Sequence, residues 1–416
     1  MSKFAFITII VLYSFSAIIG NLLKLLGIDI LGMEYLLFYL FMVFLTFLKK
    51  KQSYNKVYLI LSILITLFCI TTLFTSNYII NPFWFFIGYL LLIMQMITFN
   101  SFYHVILSEK RVIQILRYIQ FVNIIIIIIP LSKFVLYLGA EKFTDLFFTK
   151  EAGITTTLIN FNIIITLTLM KIDKKKKDVF FIILSSISVI LSILLKSIFS
   201  MIVIYLIFMT IFSHKRIINK YLKYIAIIAV SFFIVTSNPT IKGKIDFYYE
   251  FYFTNVVESN PRYAAYKAAF EIAKDHFPFG SGPSTFGSFP VKIVYNDTYK
   301  DYELDKIYGM HISSQPNFLL DTYWSSPLAE LGFIGFILFF IQFLYPLYLI
   351  RKLRYLESPY YKTIFFYIVA STFVLILESL FLAIYSQITF ILLHNAISLI
   401  MINFLKAKNE PVPISI

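Results

Sequence analysis

One cysteine in 416 residues, Cys69, leaves the chain unable to form an internal disulfide or a cysteine-ligated metal site. Charge is also scarce, with 14% of residues Asp, Glu, Lys or Arg against 59% hydrophobic, and no stretch reads as an independent soluble domain, a long linker or a strong internal repeat. Histidine is limited to five residues, none at ligand spacing among the carboxylates, which argues against a resident metal or other cofactor. The glycine-rich stretch near residue 280 has no lysine at the spacing of a nucleotide phosphate loop.

What fills the chain is a series of apolar runs of about 20 residues, long enough to cross the ~30 Å hydrocarbon layer as helices. Candidate spans fall at 4–22, 33–49, 55–74, 81–100, 115–137, 154–171, 178–195, 198–213, 221–237, 327–350, 360–380 and 385–405. The fold class expected is therefore an all-α polytopic membrane protein with about 12 transmembrane helices. Lys and Arg collect in every second connection: Lys49 to Lys51 with Lys56; Lys110, Arg111 and Arg117; Lys171 with Lys174 to Lys177; Lys215, Arg216, Lys220 and Lys223; Arg351, Lys352, Arg354 and Lys362. That alternation puts both termini in the cytoplasm and a large, partly helical loop on the outer side, dividing the chain into 1–237, 238–326 and 327–416. The net charge of +14 then reflects orientation in the membrane, so no nucleic acid partner is expected. No small-residue cleavage site follows Gly20, and the first span is expected to remain as a helix.

The segment from Ser237 to Trp324 carries nearly all of the unusual chemistry. Asn260 is a helix cap and Pro261 suits a first turn, so a helix is expected from there to about His276, ended by Pro278 and Gly280. Tyr266, Phe270, Ala273 and Phe277 share one face, which is expected to lie against the membrane domain. Arg262, in the first turn, is either an anion site or an interfacial arginine paired with Glu258 or a headgroup. Gly280 and Gly282 serve as a turn or as a close approach to a ligand. The rings of Tyr295, Tyr299, Tyr302, Tyr308, Tyr323 and Trp324 suit sugar faces and a membrane interface equally. Asp297, Asp301, Glu303 and Asp305 read as a solvated acidic run, and His311 as a lone histidine. Lys196, in a tight outer turn, and Glu378, near the outer end of its span with Gln387 beginning the return helix, face a cavity or the headgroup layer.

The order of Arg262, helix, Phe-Pro-Phe-Gly-Ser-Gly-Pro-Ser-Thr-Phe-Gly-Ser (277–288), Tyr295, Tyr299, Tyr302, Asp321-Thr-Tyr-Trp324 and Ala-Glu-Leu-Gly-Phe-Ile-Gly335 resembles the Wzy-type polymerases of bacterial O-antigen and capsule repeat units. The resemblance is specific over about 255–340 and topological elsewhere. It implies a GT-C-like, metal-independent inverting glycosyltransferase without a cofactor. Its substrates would be undecaprenyl-diphosphate-linked oligosaccharides at the outer face of the bacterial cytoplasmic membrane, with membrane lipids and a chain-length regulator as further partners. The related O-antigen ligases carry a His-Asn pair where this chain has Asp321-Thr322, which favours polymerase over ligase. Within that resemblance Arg262 and Lys196 are expected to hold the diphosphate, and Asp321, then His311, to activate the acceptor hydroxyl. Gly280, Gly282, Tyr299, Tyr302, Tyr323 and Trp324 are expected at the sugar. A transporter of the same lipid-linked sugars is the alternative from another class.

Overall fold

The computed structural model describes residues 2–14, 16, 38–42, 44, 55–79, 81–136, 152–192, 194–212, 260–314, 317–356 and 358–409. The expected spans at 33–49 and 221–237, and the part of the outer loop before Asn260, lie wholly or largely outside the described residues. Among those described, the chain forms helices and no strand. They are α1 (Ser2–Ser14), α2 (Lys56–Thr75), α3 (Pro82–Phe102), α4 (Glu109–Leu136), α5 (Ala152–Ile172), α6 (Lys177–Leu191), α7 (Leu195–Phe212), α8 (Pro261–Asp275), α9 (Ser325–Lys352) and α10 (Tyr361–Ser379). The last helix, α11, runs from Ile388–Ile391 through one π turn at Leu392–Ala396 into Ile397–Asn409.

Seven of these, α2 to α5 and α9 to α11, are long and apolar enough to cross a membrane, so the chain is a polytopic membrane protein. The run expected as a span at 178–195 is instead a helix of 15 residues, about 22 Å of rise against a ~30 Å hydrocarbon layer. It breaks at Ser192 and turns into α7, so α6 and α7 form a hairpin whose bend carries Lys196.

α11 is enclosed along its whole apolar length and α5 nearly so, whereas α2 exposes two faces' worth of Leu, Ile and Phe to the surroundings. A lipid-embedded bundle gains little from burying one apolar side chain against another, so polar contacts between helices matter more than in water. Tyr13 donates to Asn123 at 2.6 Å, Asn162 to Ser185 at 2.9 Å, Gln342 to Ser62 at 3.1 Å and Tyr385 to Gln95 at 3.0 Å. Arg117, counted by sequence among the loop cations, lies inside α4, where its guanidinium binds both Asp173 and the fully buried Asp178. A cation about two turns inside the helix reaches carboxylates at the connection between α5 and α6, so its charge serves packing.

The segment between α8 and α9 has, with those helices, a small core of its own. Asn260 caps α8 by accepting the Arg262 N–H at 3.0 Å, as its position predicts. The buried face of α8 is Ala264, Ala265, Ala268, Ala269, Ile272 and Ala273, and it lies on α9. This corrects the expected face in part: Ala273 is buried and Tyr266 donates to the Leu380 carbonyl at 3.1 Å, but Phe270 and Phe277 are 57% and 64% exposed. Alanines allow two helix backbones to approach closely, and Phe270 is left at the edge of the contact against Phe333. Phe286 stacks on Tyr299 over this alanine face.

The glycine-rich loop is clasped to α9 first through its backbone. Ser281 and Gly282 N–H donate to the carbonyls of Ala329 and Glu330 at 2.9 and 3.0 Å. Gly280 (φ 80°) and Gly332 (φ 65°) stand back to back, and Gly332 kinks α9. A Cβ on Gly332 would lie 2.6 Å from the Pro278 carbonyl oxygen, and one on Gly280 would lie 2.3 Å from the Gly332 nitrogen. Gly332→Ala is therefore expected to lose at least about 1–2 kcal/mol to the left-handed backbone alone, with the carbonyl clash added. Thermal unfolding in detergent should show a lowered midpoint or no folded protein, and an unchanged midpoint would contradict the clasp.

Candidate functional site

Two ion pairs meet where the segment from α8 to α9 sits on the apolar helices. Arg262, held in the first turn of α8 by the Asn260 cap, places Nη2 2.9 Å from Oδ2 of Asp321. Lys196, opening α7, places Nζ 3.3 Å from Oε2 of Glu378 in the last turn of α10. Lys196 also lies within electrostatic reach of Arg262 and Asp321, so the four groups form one charge cluster of zero formal sum. Nζ of Lys196 runs beside Gly153 in the first turn of α5.

The two carboxylates are held differently. Glu378 is fully buried, and besides Lys196 it accepts from Asn160 Nδ2 at 3.2 Å and Ser197 Oγ at 3.3 Å. Asn160 also donates to the Ser197 carbonyl, so α5, α7 and α10 are tied at this point. Asp321 stands in the turn before α9, a fifth of its side chain exposed, with Arg262 as its one side-chain hydrogen-bond partner among the described residues. Burial pushes its carboxyl above the usual range, against the pull of the charges on Arg262, Lys196 and Lys292. The turn is fixed by backbone: Tyr323 N–H donates to Ser379, and Ala383 N–H to Leu320.

Beside Asp321 opens a cavity of about 180 Å³ between α3, the glycine-rich loop and the turn before α11. Its polar lining includes Lys292, Asn317, Gln387 and the carboxyls of Asp321 and Glu330, with hydroxyls from Ser288, Tyr323, Ser326 and Ser386, and Gly88, Leu91 and Leu92 are part of its apolar wall. The wall at Ser288 is set by Glu330, a fully buried carboxyl whose Oε1 accepts from Ser288 Oγ at 2.7 Å and from Phe286 N–H at 3.2 Å. Asp321 belongs to both the charge cluster and the cavity, and amides, hydroxyls and one ammonium around a pocket of that size suit a polyhydroxylated ring.

Of the residues singled out by sequence, Arg262, Lys196 and Asp321 come together, and Tyr323 lines the cavity. Gly280 and Gly282 serve the clasp, with Gly282 packed on Thr72. Tyr299 is fully buried with its hydroxyl accepting Gly287 N–H at 3.0 Å, and Trp324 donates Nε1–H to the Ile376 carbonyl at 3.2 Å inside an aromatic cluster. Tyr302 donates to Asp275 at 3.0 Å, and Tyr78, its phenol pushed up to about 12 by burial and by Asp301, donates to Asp301 at 2.8 Å. Asp297 pairs with Lys300 and Glu303 with Lys306, whereas Asp305 Oδ1 is buried with no hydrogen-bond partner among the described residues. His311 is exposed, bonds Ser313 at 2.7 Å, and among the described residues touches neither Asp321 nor Arg262. Among the described residues no three His, Cys, Asp or Glu side chains converge in a metal-binding group.

Sequence reasoning missed Lys292 and the role of Glu330. An acidic residue within the apolar run 325–352 was a usable signal for Glu330. Lys292 is one lysine among several in the outer segment, and only its place at the cavity distinguishes it.

Residues 180–340 match the family model described as O-antigen ligase. The match takes in Lys196, Arg262, Lys292 and Asp321 and ends before Glu378. No curated protein matches the chain. With seven candidate membrane spans, the similarity supports a membrane enzyme of the O-antigen ligase and polymerase type.

Removing one partner of a buried ion pair leaves a charge without an answer, at a cost of about 3–5 kcal/mol. Lys196→Ala is expected to destabilise by that order. The double variant Lys196→Met with Glu378→Leu should be milder, since neither charge then remains. Chemical unfolding of the detergent-purified proteins measures both, and a double variant as unstable as Lys196→Ala would contradict the assignment.

Proposed function

We propose that the protein joins undecaprenyl-diphosphate-linked oligosaccharide repeat units into an O-antigen or capsular polysaccharide, as a GT-C-like inverting glycosyltransferase at the outer face of the bacterial inner membrane. The observation that carries this reading is the position of Asp321, with one side on Arg262 and the other on the cavity. The donor's diphosphate occupies the side of Arg262 and Lys196, and the acceptor sugar occupies the cavity. The acceptor hydroxyl attacks the anomeric carbon opposite the diphosphate and passes its proton to Asp321. The carbon–oxygen bond to phosphate breaks, and the diphosphate leaves with the electron pair. Arg262, with its planar fork, and Lys196 take up the charge that develops, so no divalent ion is required for it.

Asp321 is preferred to His311 as base because it lines the cavity. Tyr323 is assigned to the acceptor ring, Tyr302 to the outer part of the glycan, and Tyr299, Trp324, Gly280 and Gly282 to holding the loop in shape. The similarity over 180–340 to the O-antigen ligase family supports the broader assignment to enzymes of the ligase and polymerase type. That description also favours a second reading, transfer of finished polymer to a lipid acceptor by a ligase, and Asp321-Thr322 in place of His-Asn favours the polymerase.

Purified protein incubated with lipid-linked repeat units in excess chelator is expected to yield a ladder of products. A single transferred product on a lipid A-core acceptor would select the ligase, and activity that needs added Mg²⁺ or Mn²⁺ would overturn the metal-free mechanism. Arg262→Ala should abolish the ladder while the protein remains in the membrane, and Arg262→Lys should recover little of it. Normal chain length in the alanine variant removes the diphosphate role.

The orientation has its own test, in a Cys69→Ala background with single cysteines at 297 or 175. An impermeant maleimide applied to intact cells is expected to label the first and spare the second, and the reverse pattern sinks the outward-facing site.

A further inference from the structure

The free protein has its principal cation already occupied. Arg262 holds Asp321 at 2.9 Å, in the geometry a phosphate oxygen would take on a guanidinium, and Lys196 holds Glu378 at 3.3 Å. A diphosphate entering this cluster meets two cations and two resident carboxylates, so it competes with a carboxylate for each cation it approaches.

The structure distinguishes which carboxylate is the easier to displace. Glu378 sits on a helix, is fully buried, and is fixed by Asn160 and Ser197 in addition to Lys196, so displacing it would break a knot of three helices. Asp321 sits in a turn, is partly open to the cavity, and has Arg262 as its sole side-chain hydrogen-bond partner among the described residues. Exchanging that one bond for two or more from a diphosphate to the same guanidinium is a favourable trade, and the cavity gives the released carboxylate a place to turn.

We propose that Asp321 is a resident counter-ion that the donor's diphosphate displaces from Arg262, so that filling the donor side is what delivers the carboxylate to the acceptor side. Glu378 remains in place throughout as the fixed counter-ion of Lys196. The inference rests on the reading of Arg262 as the diphosphate ligand given above and adds to it an order of events. Without donor, Asp321 is neutralised by Arg262 and is a poor proton acceptor. Once the guanidinium is taken by phosphate, Asp321 loses its principal stabilising charge and becomes a better base beside the acceptor hydroxyl. A transferable sugar is therefore present before the base is free.

The test is binding rather than turnover, with farnesyl diphosphate as the probe and the full chain in detergent. Wild type is expected to bind, and Asp321→Asn to bind on the order of tenfold more tightly, equivalent to ~1.4 kcal/mol, because the competing charge is gone. Asp321→Glu, which keeps a carboxylate, should return affinity to near the wild-type value. Glu378→Gln should show no tightening, since Lys196 loses its anchor. A residue that merely shaped the loop would weaken binding or leave it unchanged when altered, so Asp321→Asn binding no tighter than wild type overturns the exchange. If that variant is not monodisperse, Asp321→Ser carries the same expectation. The underlying reading fails separately: Arg262→Ala binding the probe as well as wild type removes the diphosphate ligand, whatever Asp321 does. Absence of binding by both wild type and Asp321→Asn overturns both.

Discussion

Glu378 is wholly enclosed, and a carboxylate in such surroundings persists as an anion only when charge and hydrogen bonds compensate for the water it has lost. Lys196, Asn160 and Ser197 supply them, and because these residues come from α5 and α7 while Glu378 lies in the last turn of α10, one electrostatic requirement fixes the neighbouring ends of three helices. Lys196 is thereby held at the edge of the charge cluster instead of extending to the headgroups as a free lysine would. Arg262 and Asp321 meet next to it, and the site inherits its rigidity on the membrane side from this knot.

The outer side is fixed by a different constraint, which is steric. The Gly280–Gly332 contact leaves no room for a side chain, and it brings the glycine-rich loop down onto the first turns of α9, where Glu330 grips Ser288 and Phe286. The alanine face of α8 serves the same end by letting that helix lie close on α9, and Arg262 arrives over Asp321 as a consequence. With Phe270, Phe277 and Tyr263 left outward, α8 presents rings suited to the boundary between lipid headgroups and water. The site is thus a seam between a polar-knotted bundle and a clasped outer segment, and Asp321 is the residue that faces both sides of it.

Much of this was legible in the sequence because it depends on local rules. Apolar runs of sufficient length specify spanning helices, since unpaired backbone cannot remain in hydrocarbon. Asn260-Pro261 specified the start of α8, and the scarcity of cysteine and charge narrowed the class of protein. The types of chemistry at Arg262, Lys196 and Asp321 could be named from position and from a family resemblance. Where local rules misled, a nonlocal requirement had taken over: the aromatic face of α8 yielded to its alanine face, and Arg117 was claimed by Asp178, 61 positions away.

The tertiary structure alone decided which groups meet. Arg262 and Asp321 are separated by 59 residues and Lys196 and Glu378 by more, and no periodicity links members of either pair. It also decided that Tyr299 and Trp324, aromatic like Tyr323, point into packing while Tyr323 reaches the cavity. Sequence fixes what each side chain is able to do, because charge, ring and hydroxyl are properties of a residue. What a residue does depends on which distant partner answers its charge or fills its hydrogen bonds, and that is settled only when the helices have packed.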